Sequence, residues 1–255
     1  MHTIKSDSDS ATSKRADSAT AEDLPEDWSF FDRIYCISLE NREDRRQEAM
    51  LQFSKVGLAG RVEFIRVAKH PTDCEQGIYE SHMRCMAQGL ASGAEHILIF
   101  EDDIIFEGWS PQRLGQVIHF LRENEDWQAL FFGCMVKKSQ RTANPAIVRI
   151  GYRSLTHAYA IRRKFAEEIL GPWKNAAFDD FLRDLKSPCM YAVYPSFAFQ
   201  SNALSDNDRY LHLDRFRRFC GGLRNLQKRN ELYHHYKWWI VGCHILAIAA
   251  VVHWL

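Results

Sequence analysis

The sequence predicts an α/β fold with a mostly parallel central sheet and an apolar helix at its C-terminal end. Three observations carry that expectation. Apolar runs rich in β-branched and aromatic residues alternate with amphipathic helical stretches through the first half, the pattern of right-handed βαβ units. The run Ile97-Leu98-Ile99-Phe100 has neither a two-residue nor a 3.6-residue period, so it reads as a strand buried on both faces. Residues 238–255 carry no formal charge and have tryptophan at both ends, as a membrane-inserting helix does.

The remaining elements follow in order. Residues 30–39 (FFDRIYCISL) form the first strand. Asn41 is the expected N-cap of a helix over 42–56, with Met50, Phe53 and Val56 inward and Gly57 as its stop. The alternating RVEFIRV at 61–67 gives a second strand, closed by His70-Pro71. A helix over 77–92 turns Ile78, Cys85, Met86 and Leu90 inward and ends at Gly93. Ser110-Pro111 opens a helix with the stripe Leu114, Val117, Ile118 and Leu121. Strands are expected over 127–132, 146–150 and 157–161, with the polar stretch 137–145 as a loop. Helices follow over 163–170, stopped by Gly171-Pro172, and over 176–185. The run 191–199 (YAVYPSFAF) is the last strand, and its internal proline assigns it to an edge.

With 255 residues, 46% of them hydrophobic, the chain can bury one substantial core. Its 33 basic and 33 acidic residues cancel, which argues against a nucleic-acid partner held by bulk charge. Seven cysteines include no C-x-x-C pair and are odd in number, so neither a zinc site nor a disulfide framework is indicated and a reducing compartment is expected. Residues 1–27 are rich in Ser, Asp, Ala and Thr, a composition that predicts disorder, and contain no apolar leader. A globular domain is expected over 28–205, a basic amphipathic segment over 206–237 and an apolar tail over 238–255.

In the basic segment eight positive residues face four acidic ones, with Phe216, Phe219, Leu223 and Leu226 between them. Such a segment suits an anionic cytoplasmic membrane surface, or else a solvated face of a helix packed on its own domain. As a helix, the eighteen-residue tail reaches roughly 27 Å, close to the thickness of a thin hydrocarbon core. It enters the bilayer or docks as a core helix. The first reading gives a membrane-associated protein with its folded domain on the cytoplasmic side.

Glu101, Asp102 and Asp103 directly follow the buried strand. Carboxylates at such a strand end sit in the crevice where open α/β sheets hold ligands. Three adjacent negative charges need solvation or a cation, and Mg2+ or Mn2+ with diphosphate oxygens would satisfy them. An acidic strand-to-loop turn is the alternative. Alternation along a strand favours Glu101 and Asp103 as the pair on one face.

Several segments then line up. Ile37-Ser38-Leu39 leads into Asn41-Arg42-Glu43-Asp44-Arg45-Arg46, and Glu75-Gln76-Gly77 precedes Ser81-His82. Phe100-Glu101-Asp102-Asp103 is followed by Thr156-His157-Ala158-Tyr159, Asp179-Asp180-Phe181-Leu182 and Tyr194-Pro195. Over about residues 33–200 this ordered set resembles glycosyltransferase family 25, the lipopolysaccharide-type and procollagen-type galactosyltransferases. The chain departs from the family pattern at Ser38, where Asn is usual, and at Cys74, where Gly is usual. Lys137-Lys138 only loosely echoes the family's basic loop.

The resemblance implies a GT-A-type nucleotide-sugar-binding fold, a UDP-sugar donor such as UDP-galactose, Mn2+ or Mg2+, and inversion at the anomeric carbon. The acceptor it implies is a glycan or a lipid-linked saccharide such as lipopolysaccharide. Glu101, Asp102 and Asp103 would hold the metal. Arg42, Arg45 and Arg46 would meet the diphosphate, or form a solvated first turn with Glu43 and Asp44. Ser81 and His82 would belong to the donor site, although a histidine among apolar neighbours is also an ordinary hydrogen-bonded core residue. Asp179 and Asp180 would supply the base that deprotonates the acceptor hydroxyl, or serve as charges favoured by a helix N-terminus. A catalytically inactive relative that binds nucleotide sugar, glycan or membrane is the competing class. Phosphoryl transfer ranks last, since no P-loop is present.

Overall fold

The computed structural model describes residues 28–201 and 221–254. A 3-10 turn at Trp28–Phe30 leads into β1 (Arg33–Leu39), α1 (Glu43–Lys55), β2 (Val62–Val67), α2 (Cys74–Ala91), β3 (His96–Glu101), β4 (Ile104–Phe106) and α3 (Pro111–Glu123). The second half adds β5 (Ala129–Phe131), β6 (Met135–Arg141), β7 (Ile147–Ser154), β8 (Ala158–Arg162), α4 (Arg163–Ile169), α5 (Phe178–Asp184), β9 (Met190–Val193), β10 (Ala198–Gln200) and α6 (Gly222–Trp254). The disorder expected over 1–27 and the basic run 206–220 fall outside the described residues.

Eight strands form one sheet in the order β2-β1-β3-β8-β5-β9-β7-β6, and β4 pairs with β10 in a separate ribbon. The pairings leave six of the eight strands pointing one way, with β7 and β8 reversed. Most strands therefore share one direction, as expected, although reversed β7 and β8 make four of the seven neighbouring pairings antiparallel. Strand β3 lies inside it, and Ile97, Leu98, Ile99 and Phe100 are each 0% exposed. Leu98 and Phe100 join an apolar layer with Phe53 of α1 and Leu114, Val117 and Ile118 of α3. Ile97 and Ile99 join the opposite layer with Tyr79 and Met86 of α2, Phe165 of α4 and Phe178 of α5. Full burial of each such side chain contributes about 2 kcal/mol, so a one-residue slip of β3, which exchanges its two faces, would disrupt both layers at once. Gly89 lets α2 lie this close, because a Cβ there would stand 2.4 Å from Ile97 Cδ1.

Several boundaries depart from the expectation for local reasons. Arg42, not Asn41, occupies the N-cap of α1 and makes no side-chain cap bond. Helix α2 starts at Cys74 because Asp73 Oδ1 accepts from the amides of Glu75 (2.9 Å) and Gln76 (3.2 Å). In its phase Tyr79, His82 and Met83 are buried, whereas Ile78 is 41% exposed rather than inward. The stretch 137–145 is not all loop, since β6 runs through Arg141 as the outermost strand. Its exposed Lys137, Lys138, Gln140 and Arg141 mask it as a strand in sequence, yet charge is what a sheet edge tolerates. The run 191–199 is two strands rather than one at an edge. Strand β9 lies between β5 and β7, the cis Tyr194-Pro195 bond follows it, and β10 then pairs with β4.

The apolar tail is not a separate element, because α6 runs unbroken from Gly222 to Trp254. Its first turns pack on the domain, where Gln227 is 0% exposed. Beyond Lys237 the helix stands clear, with Trp238 and Trp239 each 74% exposed. By length and composition it is the one described helix able to cross a membrane, and none of its apolar stretch is buried.

Candidate active site

Strand β3 ends at Glu101, and the chain turns through Asp102 and Asp103 before β4. The Glu101 amide donates to His157 O at 3.0 Å, fixing the strand end against the start of β8. Its carboxylate accepts from Thr156 Oγ1 at 3.0 Å, and Gln200 Nε2 approaches at 3.5 Å. The Glu101 side chain keeps 27% of its exposure. Burial, followed by the nearby charge of Asp179, pushes its pKa up to about 7, against the opposing Thr156 hydrogen bond.

The next two carboxylates differ sharply. Asp102 pairs with Arg45, Nη1 to Oδ1 at 3.3 Å, and both side chains are nearly buried. Its pKa is raised by burial, with Ser38 and Arg45 opposing. The buried Oδ1 of Asp103 has no hydrogen-bond partner. Burial and the charges of Glu101 and Asp102 hold its pKa well above the usual carboxylate range. Ser201 N fixes the Asp103 carbonyl at 2.7 Å. Asp102 differs from Glu101 and Asp103 in its direct ion pair with Arg45.

Asp179 lies close enough to Glu101 for its charge to raise the Glu101 pKa. Tyr152 donates its hydroxyl to Oδ1 at 2.6 Å and the Leu155 amide donates to Oδ2 at 3.0 Å. Leu155 adopts a positive φ of 79° to present that amide. His82, 0% exposed, stacks on Phe178 at 4.2 Å and shares a hydrogen bond with the Tyr159 hydroxyl at 3.1 Å. Its Nε2 faces Glu101 Oε1 at 3.6 Å. Burial lowers the imidazole pKa to about 3, with Asp179 partly opposing, so the ring is neutral at physiological pH.

The structure thus groups His82, Glu101, Asp103 and Asp179, with Asp102 and Arg45 alongside. It does not bring in the other sequence candidates. Asp180 pairs with Arg183 and is about half exposed. Ser81 donates back to Gly77 O at 2.6 Å within α2. Arg46 is 6% exposed, and its guanidinium grips the end of β1 through Leu39 O (2.5 Å), Ser38 Oγ (3.2 Å) and Glu40 O (3.0 Å), and Glu43 (2.7 Å). Arg42 pairs with Asp44 at 2.8 Å. Thr156, Tyr152, Tyr159 and Gln200 belong to the site although only the segment containing Thr156 and Tyr159 stood out in sequence. A threonine opening an apolar strand was the available signal.

Among the described residues no group of three or more His, Cys, Asp or Glu side chains is disposed as a metal cage. The donor set still fits a hard divalent ion that takes one or two carboxylates and completes its shell with phosphate and water. Asp103 Oδ1 is the fitting observation, a buried oxygen with no donor, next to a second carboxylate.

A central sheet with most strands pointing one way, an acidic shelf where its inner strand ends and an apolar helix after it make this an α/β domain with its candidate site at a strand's carboxyl end. The resemblance to glycosyltransferase family 25 is borne out among curated proteins. The chain is 25% identical over 205 residues to human "Inactive glycosyltransferase 25 family member 3", covering 68% of this chain and 34% of that one. It is 28% identical over 180 residues to an Aedes aegypti glycosyltransferase 25 family member, covering 58% and 29% of the two chains. It is 25% identical over 199 residues to mouse procollagen galactosyltransferase 2, covering 65% and 31%. The chain spans about a third of the length of the curated relatives it matches. No protein-family model matches it. Among solved structures, A197 from STIV aligns with a TM-score of 0.45 at 12% identity over 66% of this chain and 84% of that one. A glycosyltransferase involved in glycosylation of the PBCV-1 major capsid aligns with a TM-score of 0.39 at 10% identity over 72% and 99%.

Proposed function

We propose that the chain is a metal-dependent, inverting glycosyltransferase that moves a hexose, galactose from UDP-galactose in the first instance, onto a glycan or lipid-linked acceptor such as lipopolysaccharide. The observation that carries this reading is the pair Glu101 and Asp103, two carboxyl groups at the end of β3 whose pKa values burial raises despite the nearby Arg45, one of them with a buried oxygen that has no hydrogen-bond partner. Mn2+ or Mg2+ held by Glu101 and Asp103 would offset charge on the departing diphosphate. Arg45 braces Asp102 and lines the same end of the sheet, where an arginine fork suits phosphate oxygens.

Asp179 is the base of the two sequence candidates, because Asp180 is turned to Arg183 at the surface. Its two anchors, Tyr152 and the Leu155 amide, aim the carboxylate while leaving lone pairs for an acceptor hydroxyl. His82, neutral and fully enclosed, orients the carboxylate wall and does not move the proton. The exposed apolar half of α6 anchors the domain to a membrane, with the domain on the cytoplasmic side.

A second reading, an inactive module that binds nucleotide sugar or glycan, is favoured by the name of the human relative. One assay separates them. Donor hydrolysis of a panel of UDP-sugars is measured with and without Mn2+, in the parent and in Asp103→Ala. Metal-stimulated turnover lost in the variant supports the enzyme; donor binding without turnover supports the module.

A further inference from the structure

We propose that Gln227 of α6 is a positioning residue of the acidic site: by gripping the carbonyl of Ala198 it fixes β10, and β10 holds the turn that carries Glu101, Asp102 and Asp103. This rests on the reading of Glu101 and Asp103 as ligands of a divalent ion.

The large sheet alone does not hold the acidic turn. Strand β3 delivers the chain to Glu101, but β4, which takes it away after Asp103, pairs among the described residues only with β10. Gln200 of β10 faces Ile104 in that register, and its Nε2 approaches Glu101 Oε2 at 3.5 Å. One residue on, the Ser201 amide donates to Asp103 O at 2.7 Å. Strand β10 thus meets the turn on both sides of Asp102, and a displacement of β10 would change the spacing of the two carboxyl groups.

With three residues, β10 is too short to hold itself. Its anchor is the carbonyl of Ala198. Gln227 Nε2 donates to that oxygen at 3.0 Å and His157 Nε2 at 3.1 Å. The carbonyl of His157 in turn receives the Glu101 amide at 3.0 Å. One oxygen therefore joins α6, β10 and the segment that closes the end of β3. Glycine at 133 permits the junction, since a Cβ there would stand 1.8 Å from Ala198 O and 2.6 Å from Gln227 Nε2.

Gln227 is 0% exposed. Packing at such a place would be served by leucine or methionine, because a buried amide is costly unless its bonds are made. The bond that it makes is the one to β10. Docking of α6 and binding of an ion at Glu101 and Asp103 then favour each other, since coupling between two sites is reciprocal.

The test compares the full chain, in detergent, with two variants. Gln227→Met keeps the volume and removes the donor. Asn230→Ala loosens α6 elsewhere, by removing its bonds to Val136 N (2.8 Å) and Val136 O (3.1 Å). Mn2+ binding is read from the paramagnetic resonance signal of the free ion, and amide exchange is followed by mass spectrometry with and without Mn2+. Gln227→Met should weaken Mn2+ binding about fivefold, the weight of one hydrogen bond. Without metal it should speed exchange of the peptides holding Glu101 and Ser201, relative to those of β1, by a similar factor. Asn230→Ala should leave both quantities within about twofold of the parent. Mn2+ should slow exchange over residues 222–237 in the parent and not in Gln227→Met. Should Gln227→Met fold poorly, Gln227→Glu has the same outline as the parent and turns a carboxylate to the Ala198 carbonyl, with the same changes expected. Parent-like affinity and exchange in the Gln227 variants, or equal changes in Asn230→Ala, overturn the positioning role. Failure of the parent to bind Mn2+ overturns the divalent-ion reading instead, and the metal-free exchange still decides the role of Gln227.

Discussion

The Tyr152 hydroxyl donates to Asp179 Oδ1 at 2.6 Å while the Leu155 amide holds Oδ2 at 3.0 Å, so the carboxylate has one orientation. That orientation matters only if Asp179 takes a proton from a positioned acceptor. Asp179→Asn keeps the shape and removes the base. Transfer should fall by about 10²–10⁴-fold, with donor affinity held within about threefold. Equal losses in transfer and donor binding, measured by kinetics and titration calorimetry, would remove Asp179 from the base role.

Arg45 and Arg46 are adjacent in sequence and opposite in task. Arg46 is engaged by three acceptors at the end of β1 and by Glu43, so its removal strands buried carbonyls. Arg46→Ala should lower unfolding free energy by about 3 kcal/mol. Arg45→Ala frees Asp102 at the cleft and should cost less stability while weakening UDP binding. Urea melts and UDP titrations check the order, and the reverse order contradicts this assignment.

If Glu101 and Asp103 hold a divalent ion, Mn2+ should raise the melting temperature of the parent. At a hundredfold excess over Kd the linkage stabilises by about 2.7 kcal/mol. Asp103→Asn should lose that shift and, without metal, be at least as stable as the parent, because a carboxyl group whose ionisation burial and its acidic neighbours oppose has gone. A Mn2+ shift that survives the substitution would place the ion elsewhere.

The sheet was legible in sequence where burial is two-sided. Ile97 to Phe100 showed no period because both faces are covered, and the Leu114, Val117, Ile118, Leu121 stripe is buried as its spacing required. Strand β6 was not legible, because its lysines and arginine are exposed at an edge and its pairing comes from β7 and from Asn230, 94 residues away. The carboxylate run was visible, but not its division of labour. That Asp102 turns to Arg45 while Asp103 keeps an unpartnered oxygen depends on a distant helix start. Equally, Asp179 and Asp180 look alike in sequence, and only the fold aims one at Tyr152 and the other at Arg183.

Two buried groups should tilt stability against pH in opposite directions. The folded-state pKa of His82, about 3, lies below the ordinary 6.5. Its contribution is therefore intact above pH 6.5 and lost as pH falls toward 3, about 2–3 kcal/mol by pH 4.5. Glu101, raised to about 7 from 4.5, contributes stability that is present below 4.5 and lost as pH rises through 7. Urea midpoints from pH 4 to 8 should show His82→Gln flattening the acid limb and Glu101→Gln flattening the limb between 4.5 and 7. Parallel curves for parent and variants would remove both assignments.

The tail makes the last prediction. Among the described residues the hydrogen bonds and ion pairs that fasten α6 to the domain precede Lys237, whereas Trp238, Trp239, Leu246, Val252 and Trp254 are mostly exposed. Ending the chain at Lys237 removes no buried apolar stretch among the described residues, so unfolding free energy should change by no more than about 0.5 kcal/mol. Flotation with phosphatidylethanolamine–phosphatidylglycerol liposomes should be lost. If the basic residues before the tail add attraction to anionic lipid, a remnant of binding will appear at low ionic strength and vanish in high salt, where charges are screened. Flotation of the truncated chain that persists in high salt would show that the anchor lies outside residues 238–255.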